Sequence, residues 1–206
     1  QYEIAEIAFQ AERLNLGIAG GWQDQYAAVF GGFNFIEFGK DNNIVNPIRI
    51  QSDIEAELEE CLVLCDTGEL HNSGDIHDNQ KAAMSSEAAR KLVGANVELC
   101  YELRNHLLRG ELDRFGRCLD AGWQLKKKFS DLISNNRIDK IYSGAIANGA
   151  LGGKLLGAGG GGYFLFYVRP FEKYRLLDYL ASTGLRPQNF RFEAVGLTSW
   201  SSRDAG

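Results

Sequence analysis

The chain has 206 residues, 45% of them hydrophobic, and a formal net charge of −5. That length holds one large or two small domains with a buried core, and three prolines with no low-complexity tract argue against disorder. The negative charge argues against general nucleic-acid binding, no apolar run approaches the ~20 residues of a membrane span, and nothing resembles a signal peptide.

Ile4, Ile7, Ala8, Ala11 and Leu14 recur at helical spacing and predict an amphipathic helix over residues 2–14. No capping residue and no Met precede it, so the chain reads as starting inside a helix of a longer protein. Residues 17–21 are a glycine-rich turn, and Gln23–Phe30 is a short helix closed by Gly31 and Gly32. Residues 33–38 alternate aromatic and polar side chains, which predicts a strand. Residues 44–50 are a second strand, with Pro47 marking an edge or bulge. Ser52-Asp-Ile-Glu55 has the form of a capping box for a short helix. Residues 61–65 are a buried strand. Cys61 and Cys65 share one face of it, and with Cys100 and Cys118 they form no C-x-x-C pair. All four read as buried thiols of a reducing, cytoplasmic compartment.

Three helices follow. In residues 86–108 the apolar set is Ala89, Leu92, Val93, Val97, Cys100, Leu103 and Leu107, at spacings of three and four, and Gly110 ends the helix. Residues 111–132 carry Leu112, Phe115, Leu119 and Trp123 on one stripe, with Lys126, Lys127 and Lys128 on a solvated face. Residues 139–150 are the third, ending near Gly149. A glycine-rich hairpin leads into the strand Tyr163–Val168, then a helix over 171–182 and a last strand over 191–195, extended by 197–200. Strands separated by helix clusters define an α+β fold. The charged segment around residues 50–60 marks the division, giving domains 1–55 and 56–206.

Two segments carry the chemistry. The first is Gly157-Ala158-Gly159-Gly160-Gly161-Gly162, which enters six apolar or aromatic residues. Successive backbone N–H groups in such a loop are a cradle for anions. Gly157, Gly159 and Gly162 satisfy G-x-G-x-x-G, but a strand follows where a dinucleotide site needs a helix. The Walker pattern fails at Asn148 and Leu155. A hairpin without a ligand is the plainer reading, yet four consecutive glycines exceed what a hairpin needs.

The second is Gly20-Gly21-Trp22-Gln23-Asp24-Gln25-Tyr26. A carboxylate at the start of a short helix, beside two glycines that permit close approach, can take a proton from a hydroxyl or hold that hydroxyl. It also suits the helix N-terminus on electrostatic grounds alone. The segment at 66–77 adds His71 and His77 without a third metal ligand, and reads as a solvated loop that ends in a helix cap. His106 reads as a helix-surface residue.

In this order, the two segments resemble the third and catalytic-aspartate motifs of the GHMP kinases, which phosphorylate sugars and small alcohols with ATP. Residues 21–38 are most similar to the heptose 7-phosphate kinase branch, which in turn resembles L-fucokinases. The resemblance implies a remnant of the family's N-terminal domain followed by a C-terminal α+β domain of antiparallel sheet and helices. It makes Asp24 the catalytic residue and places Gly20, Gly21, Gln23, Gln25 and Tyr26 about the substrate. Residues 157–162 become the loop that supports substrate and phosphate, and Lys154 matches a common lysine of that motif. It implies ATP and Mg²⁺ as cofactors and a sugar or sugar phosphate as substrate; no metal ligands are expected in this stretch, and the charge and the apolar-run lengths lead one to expect no nucleic-acid or membrane partner.

The chain departs from the family in two ways. Trp22 stands where related heptose kinases often carry Lys. The motif P-x-x-x-G-L-G-S-S, which wraps ATP phosphates at a helix N-terminus, is absent from the 206 residues. Its place is expected upstream of Gln1, so most of the ATP and Mg²⁺ binding is expected there and the isolated chain is expected to be inactive. A fucose- or galactose-type kinase, and a non-catalytic sugar- or nucleotide-binding module, are the alternatives.

Overall fold

A computed structural model describes residues 1–18, 20–69 and 86–201. The chain divides into two compact units, Gln1–Arg49 with Arg191–Gly206, and Ile50–Phe190. The sequence had placed its division at residue 55.

The first unit opens on α1 (Tyr2–Gln10), which continues through one wider turn at Ala11–Asn15. Leu16 N donates to Ala11 O there at 3.1 Å, a bond spanning five residues rather than four. The expected apolar stripe is not the buried one. Ile4, Ile7 and Leu14 are exposed and Ala5 is fully buried, because the partners of α1 are aromatic rings on its other side. Tyr2 meets Tyr26 and Phe30 edge-on, and Phe9 stacks on Trp22 at 4.5 Å. Helix α2 (Gln23–Phe30) buries Tyr26 and Val29 against Ala5 and Val45. Strands β1 (Asn34–Phe38) and β2 (Asn43–Pro47) form an antiparallel hairpin with Ile36 opposite Val45.

Residues 191–201 form no strand, contrary to expectation. They lie along the end of α2 as a strap. Gly32 N donates to Glu193 O at 2.8 Å and Leu197 N to Val29 O at 3.1 Å. Phe192 packs edge-on against Phe33. The side chains of Val195, Leu197 and Trp200 in this strap are exposed.

The second unit is a four-stranded antiparallel sheet in the order β4-β5-β3-β6, with β3 at Leu62–Asp66, β4 at Ala150–Leu155, β5 at Tyr163–Val168 and β6 at Arg186–Gln188. Helix α3 (Ser52–Cys61) runs straight into β3, so Cys61 ends a helix instead of beginning a strand. Its N-cap is Gln51, not Ser52, and no side chain caps it. Helices α4 (Glu87–Leu108), α5 (Leu112–Lys126), α6 (Asn136–Ala147) and α7 (Pro170–Ser182) complete the unit. The Ser86 side chain accepts from Ala89 N and starts α4, the local signal of an N-cap.

Successive strand residues face opposite sides, and β5 uses both. Phe164 and Phe166 join Trp123, Ile138, Ile141, Tyr142, Leu176 and Leu180 in one core. Tyr167 turns the other way, toward Phe115 and Asp113 of α5.

Strand β4 was read as the end of a helix and the start of a loop. It forms because Gly152 lets α5 come close: a Cβ there would lie 1.9 Å from Gly116 O. The four cysteines are free, as expected, but Cys100 is exposed while Cys61, Cys65 and Cys118 are buried. Burial pushes the Cys65 thiol up to about 11.

Candidate active site segments

Asp24 is the second residue of α2, and its side chain is 82% exposed. Helical geometry separates it from its neighbours. Gln25 and Tyr26 turn inward, while Gln23 stays in solvent with Asp24. Tyr26 is 1% exposed, and its hydroxyl donates to Glu6 Oε1 at 2.5 Å and accepts from Asn43 Nδ2 at 3.0 Å. Burial, then the Glu6 carboxylate, raises its phenol above the ordinary range. Gln25 Nε2 donates to Glu12 Oε2 at 2.8 Å, while its buried Oε1 has no partner among the described residues.

The glycines ahead of Asp24 wrap a cation that the motif did not reveal. The Arg13 side chain is 10% exposed and donates to the carbonyls of Ile18 and Gly21. Gly20 has room for no side chain, since a Cβ would lie 2.6 Å from the guanidinium carbon. One guanidinium nitrogen stands 4.0 Å from Asp24 Oδ2. Arg13 therefore fixes the turn and places positive charge beside the carboxylate. Its spacing from Asp24 matched no pattern in the sequence. Trp22, where the resemblance led one to expect Lys, is stacked between Phe9 and Phe38.

The glycine loop joins β4 to β5. Gly157, Gly159, Gly160 and Gly162 have φ values of 65°, 118°, 74° and 89°, a region that side-chain-bearing residues avoid. The run is therefore a built conformation. Three anchors hold it. Lys126, at the end of α5, donates to Leu155 O at 3.1 Å and Gly157 O at 2.5 Å. Gly160 N donates to Ile133 O at 2.8 Å. At the exit, Thr67 N donates to Gly162 O at 2.8 Å, and Gly162 N to Glu69 O at 3.4 Å. The Glu69 carboxylate is itself held by Arg137 and Asn135, each at 2.9 Å, which lowers its pKa. Asn135 also caps α6 by accepting from Arg137 N and Ile138 N.

The amides of Gly157, Ala158, Gly159 and Gly161 make no hydrogen bond within the described residues. That arrangement can receive an anion, as the run of glycines implied. Lys126 was read as part of a solvated helix face. It is instead half-buried, and burial, then the neighbouring Lys154, brings its amine down to about 8. Lys127, also assigned to that face, bonds Asp139 at 3.1 Å and lies over the Trp123 ring. His106 bonds Glu111 Oε2 through Nδ1 at 2.6 Å and is only partly exposed. His71 and His77 lie outside the described residues. Among those described, no group of three or more His, Cys, Asp or Glu side chains could hold a metal ion, and no helix is long and apolar enough to cross a membrane.

Residues 97–184 match the family of GHMP kinases C terminal, a stretch that runs from within α4 to the end of α7 and includes the whole glycine loop. Those residues are similar to the C-terminal domain of the GHMP kinases. Beyond that stretch, the chain is 40% identical over 201 residues to D-glycero-alpha-D-manno-heptose 7-phosphate kinase of Campylobacter jejuni, covering 97% of this chain and 59% of that protein. The solved structure of a D-glycero-D-manno-heptose 1-phosphate kinase from Bacteroides thetaiotaomicron is 30% identical, with a TM-score of 0.68, over 97% of this chain and 56% of that one. The bifunctional fucokinase/GDP-fucose pyrophosphorylase of Arabidopsis thaliana is 27% identical over 84% of this chain and 17% of that protein. The chain therefore spans less than two thirds of each of these relatives.

Proposed function

We propose that these residues belong to an ATP-dependent sugar kinase that phosphorylates the anomeric hydroxyl of a heptose 7-phosphate. The observation that carries this reading is the 40% identity to the heptose 7-phosphate kinase, which extends over both the Asp24 segment and the glycine loop. In phosphoryl transfer, positioning and charge stabilisation dominate over covalent chemistry. Asp24 accepts or orients the sugar hydroxyl, and its solvent-facing carboxylate beside Arg13 suits an ionised acceptor of a hydrogen bond. Gly20, Gly21 and Gln23 border the substrate. Gln23 does so directly, and Gln25 and Tyr26 act from beneath by fixing α2. The loop of residues 157–162 supports the substrate and its phosphate through its unengaged amides.

ATP supplies the phosphoryl group with Mg²⁺. No step through the metal is assigned to these residues, and the 206 residues alone are proposed to lack turnover because the P-x-x-x-G-L-G-S-S segment is not among them. The compartment proposed is the cytoplasm. The fucokinase relative favours a second reading, a kinase of L-fucose type. A transfer assay on the whole protein that contains these residues tests both. Labelled ATP is offered with 7-phosphorylated heptoses and with free L-fucose and galactose. Transfer to the heptose phosphate, lost in Asp24→Asn, is expected. Transfer to fucose alone selects the second reading, and transfer to no sugar overturns both. Sugar phosphorylation by the 206 residues alone overturns the proposed lack of turnover.

A further inference from the structure

Helix α7 buries one face and leaves an aromatic pair outside. Leu176 and Leu180 enter the core of the second unit, whereas Phe171 is 98% exposed and Tyr174 76%. Three residues apart, the two rings share one face of the helix. Single exposed apolar residues are ordinary, but an aromatic patch with a polar rim marks a contact site. Phe171 stands at the edge of a groove of about 470 Å³ between α3, the turn from α4 to α5 and the end of β5. The buried Leu112 and Tyr167 give the groove an apolar floor. Its walls carry both signs of charge. Arg169 donates to both carboxylate oxygens of Asp113, at 3.1 and 2.9 Å. Arg114 is mostly exposed and stands 3.5 Å from Glu111. The Glu57 side chain makes no hydrogen bond or ion pair with any described residue.

We propose that two copies of the chain pair through this face about a two-fold axis, each placing its Phe171 ring in the groove of the other. Ring and groove lie side by side on one surface, so a two-fold pairing fills both grooves and covers both rings at once, as an isologous contact requires. The charges select the same occupant. The groove holds an unanswered acid, Glu57, and a base with spare donors, Arg114, whose five N–H groups meet only Glu111. A second copy answers each with its opposite, twice per dimer, whereas a partner of one sign answers only one of them. Aromatic and arginine side chains beside a desolvated apolar floor are also the groups that dominate the energy of protein contacts. A small ligand in the groove would leave Phe171 and Tyr174 in water. The inference concerns the second unit alone and makes no use of the kinase reading.

The test is sedimentation equilibrium of the 206-residue chain, with amide NMR at several concentrations. A monomer–dimer equilibrium is expected, and the amides of residues 110–114 are expected to shift as the dimer forms. Phe171→Asp is expected to weaken the dimer about a hundredfold, and Tyr174→Ser about tenfold. Neither ring is in the core, so both variants should unfold at the wild-type urea concentration, which separates lost pairing from lost folding. Glu57→Arg and Arg114→Glu are each expected to weaken pairing about tenfold, and together to restore most of it. Leu14→Asp, at an exposed apolar residue of the first unit, should change nothing. A chain that stays monomeric up to about 0.1 mM overturns the proposal, as does a dimer that survives Phe171→Asp. A dimer broken by Leu14→Asp assigns the contact to the first unit and overturns it too. Charge variants that do not rescue each other overturn the two-fold arrangement. Pairing of the 206 residues that is lost in the whole protein would show that the remainder of that protein covers the groove, and the proposal would fall.

Discussion

The glycine loop and the Asp24 segment are held in opposite ways. The loop is fixed through its backbone: amides and carbonyls at its entrance, middle and exit are bonded to Lys126, Ile133, Thr67 and Glu69. Asp24 rides on an eight-residue helix with its own side chain in solvent. That helix is fixed by buried side chains, Tyr26 on Glu6 and Asn43, and Gln25 on Glu12. A backbone-built segment tolerates few residue types, because each position must accept its φ. A side-chain-built segment leaves the presented residue free to be whatever the chemistry needs. Substitutions should therefore hurt the fold in the first region and the chemistry in the second.

The largest effect on stability is expected at Gly152→Val, just ahead of the loop. A Cβ there meets Gly116 O at 1.9 Å, so α5 must move off β4, at a cost of about 3 kcal/mol or more. Urea unfolding of the chain checks this. A loss below about 1 kcal/mol would mean that the sheet edge gives way easily and that the loop is not rigidly supported. Gly21→Ala is the matched control in the Asp24 segment. A Cβ there meets nothing within 4 Å, and the expected change is within about 0.5 kcal/mol.

Asp24→Asn is expected to do the reverse. Stability should hold within about 0.5 kcal/mol, because the side chain is exposed. In the whole protein, kcat should fall about a hundredfold or more if the carboxylate handles the hydroxyl proton. A variant that unfolds would mean that Asp24 supports α2 after all, and the contrast between the regions would fail.

The same contrast explains what was legible in the sequence. Features carried by local chemistry were readable: the glycine-rich loop, the helix Gln23–Phe30 and the apolar strand Tyr163–Val168. So were the two segments as an ordered pair. Strand β4 was not, because Gly152 and Gly153 have low strand propensity and are chosen there for close approach. Strand β6 is short, exposed and contains Pro187, which mimics a loop. The buried face of α1 and the strap at 191–201 depend on partners distant in sequence. The supports of the site were invisible for the same reason. Lys126 lies 31 residues from Gly157, and Glu69 lies 68 from Arg137. Nothing in residues 126–128 separates a buried amine from a solvated one.

A smaller effect probes the side-chain network under Asp24. Tyr26→Phe removes the hydroxyl that joins Glu6 to Asn43. Two polar groups would lose a partner in a half-buried place, at a cost of about 1–2 kcal/mol. Hydrogen exchange is expected to speed up in α2 and β2 while the strands β3, β4 and β5 keep their protection. In the whole protein, KM for the sugar should rise more than kcat falls, since the ring itself stays packed. Uniformly faster exchange across the chain would instead show that the two units unfold as one.

The smallest effect concerns the loop's exit and depends on pH. Arg137 and Asn135 hold the Glu69 carboxyl below its ordinary value of 4.5. A group whose folded pKa is depressed adds stability above its unfolded pKa. That stability is lost as pH falls through the folded value, because the unfolded chain binds the proton first. The ion pair is partly exposed, so Glu69→Gln should cost at most about 1 kcal/mol at pH 7. Below the folded pKa, wild type and variant should unfold at the same urea concentration. Because Glu69 also accepts from Gly162 through its backbone carbonyl, which the substitution leaves in place, the loop amides should keep their NMR shifts at both pH values. Shifts that move with the carboxyl would show that the exit of the loop is held by a side chain, and the loop would then have to be classed with the Asp24 segment.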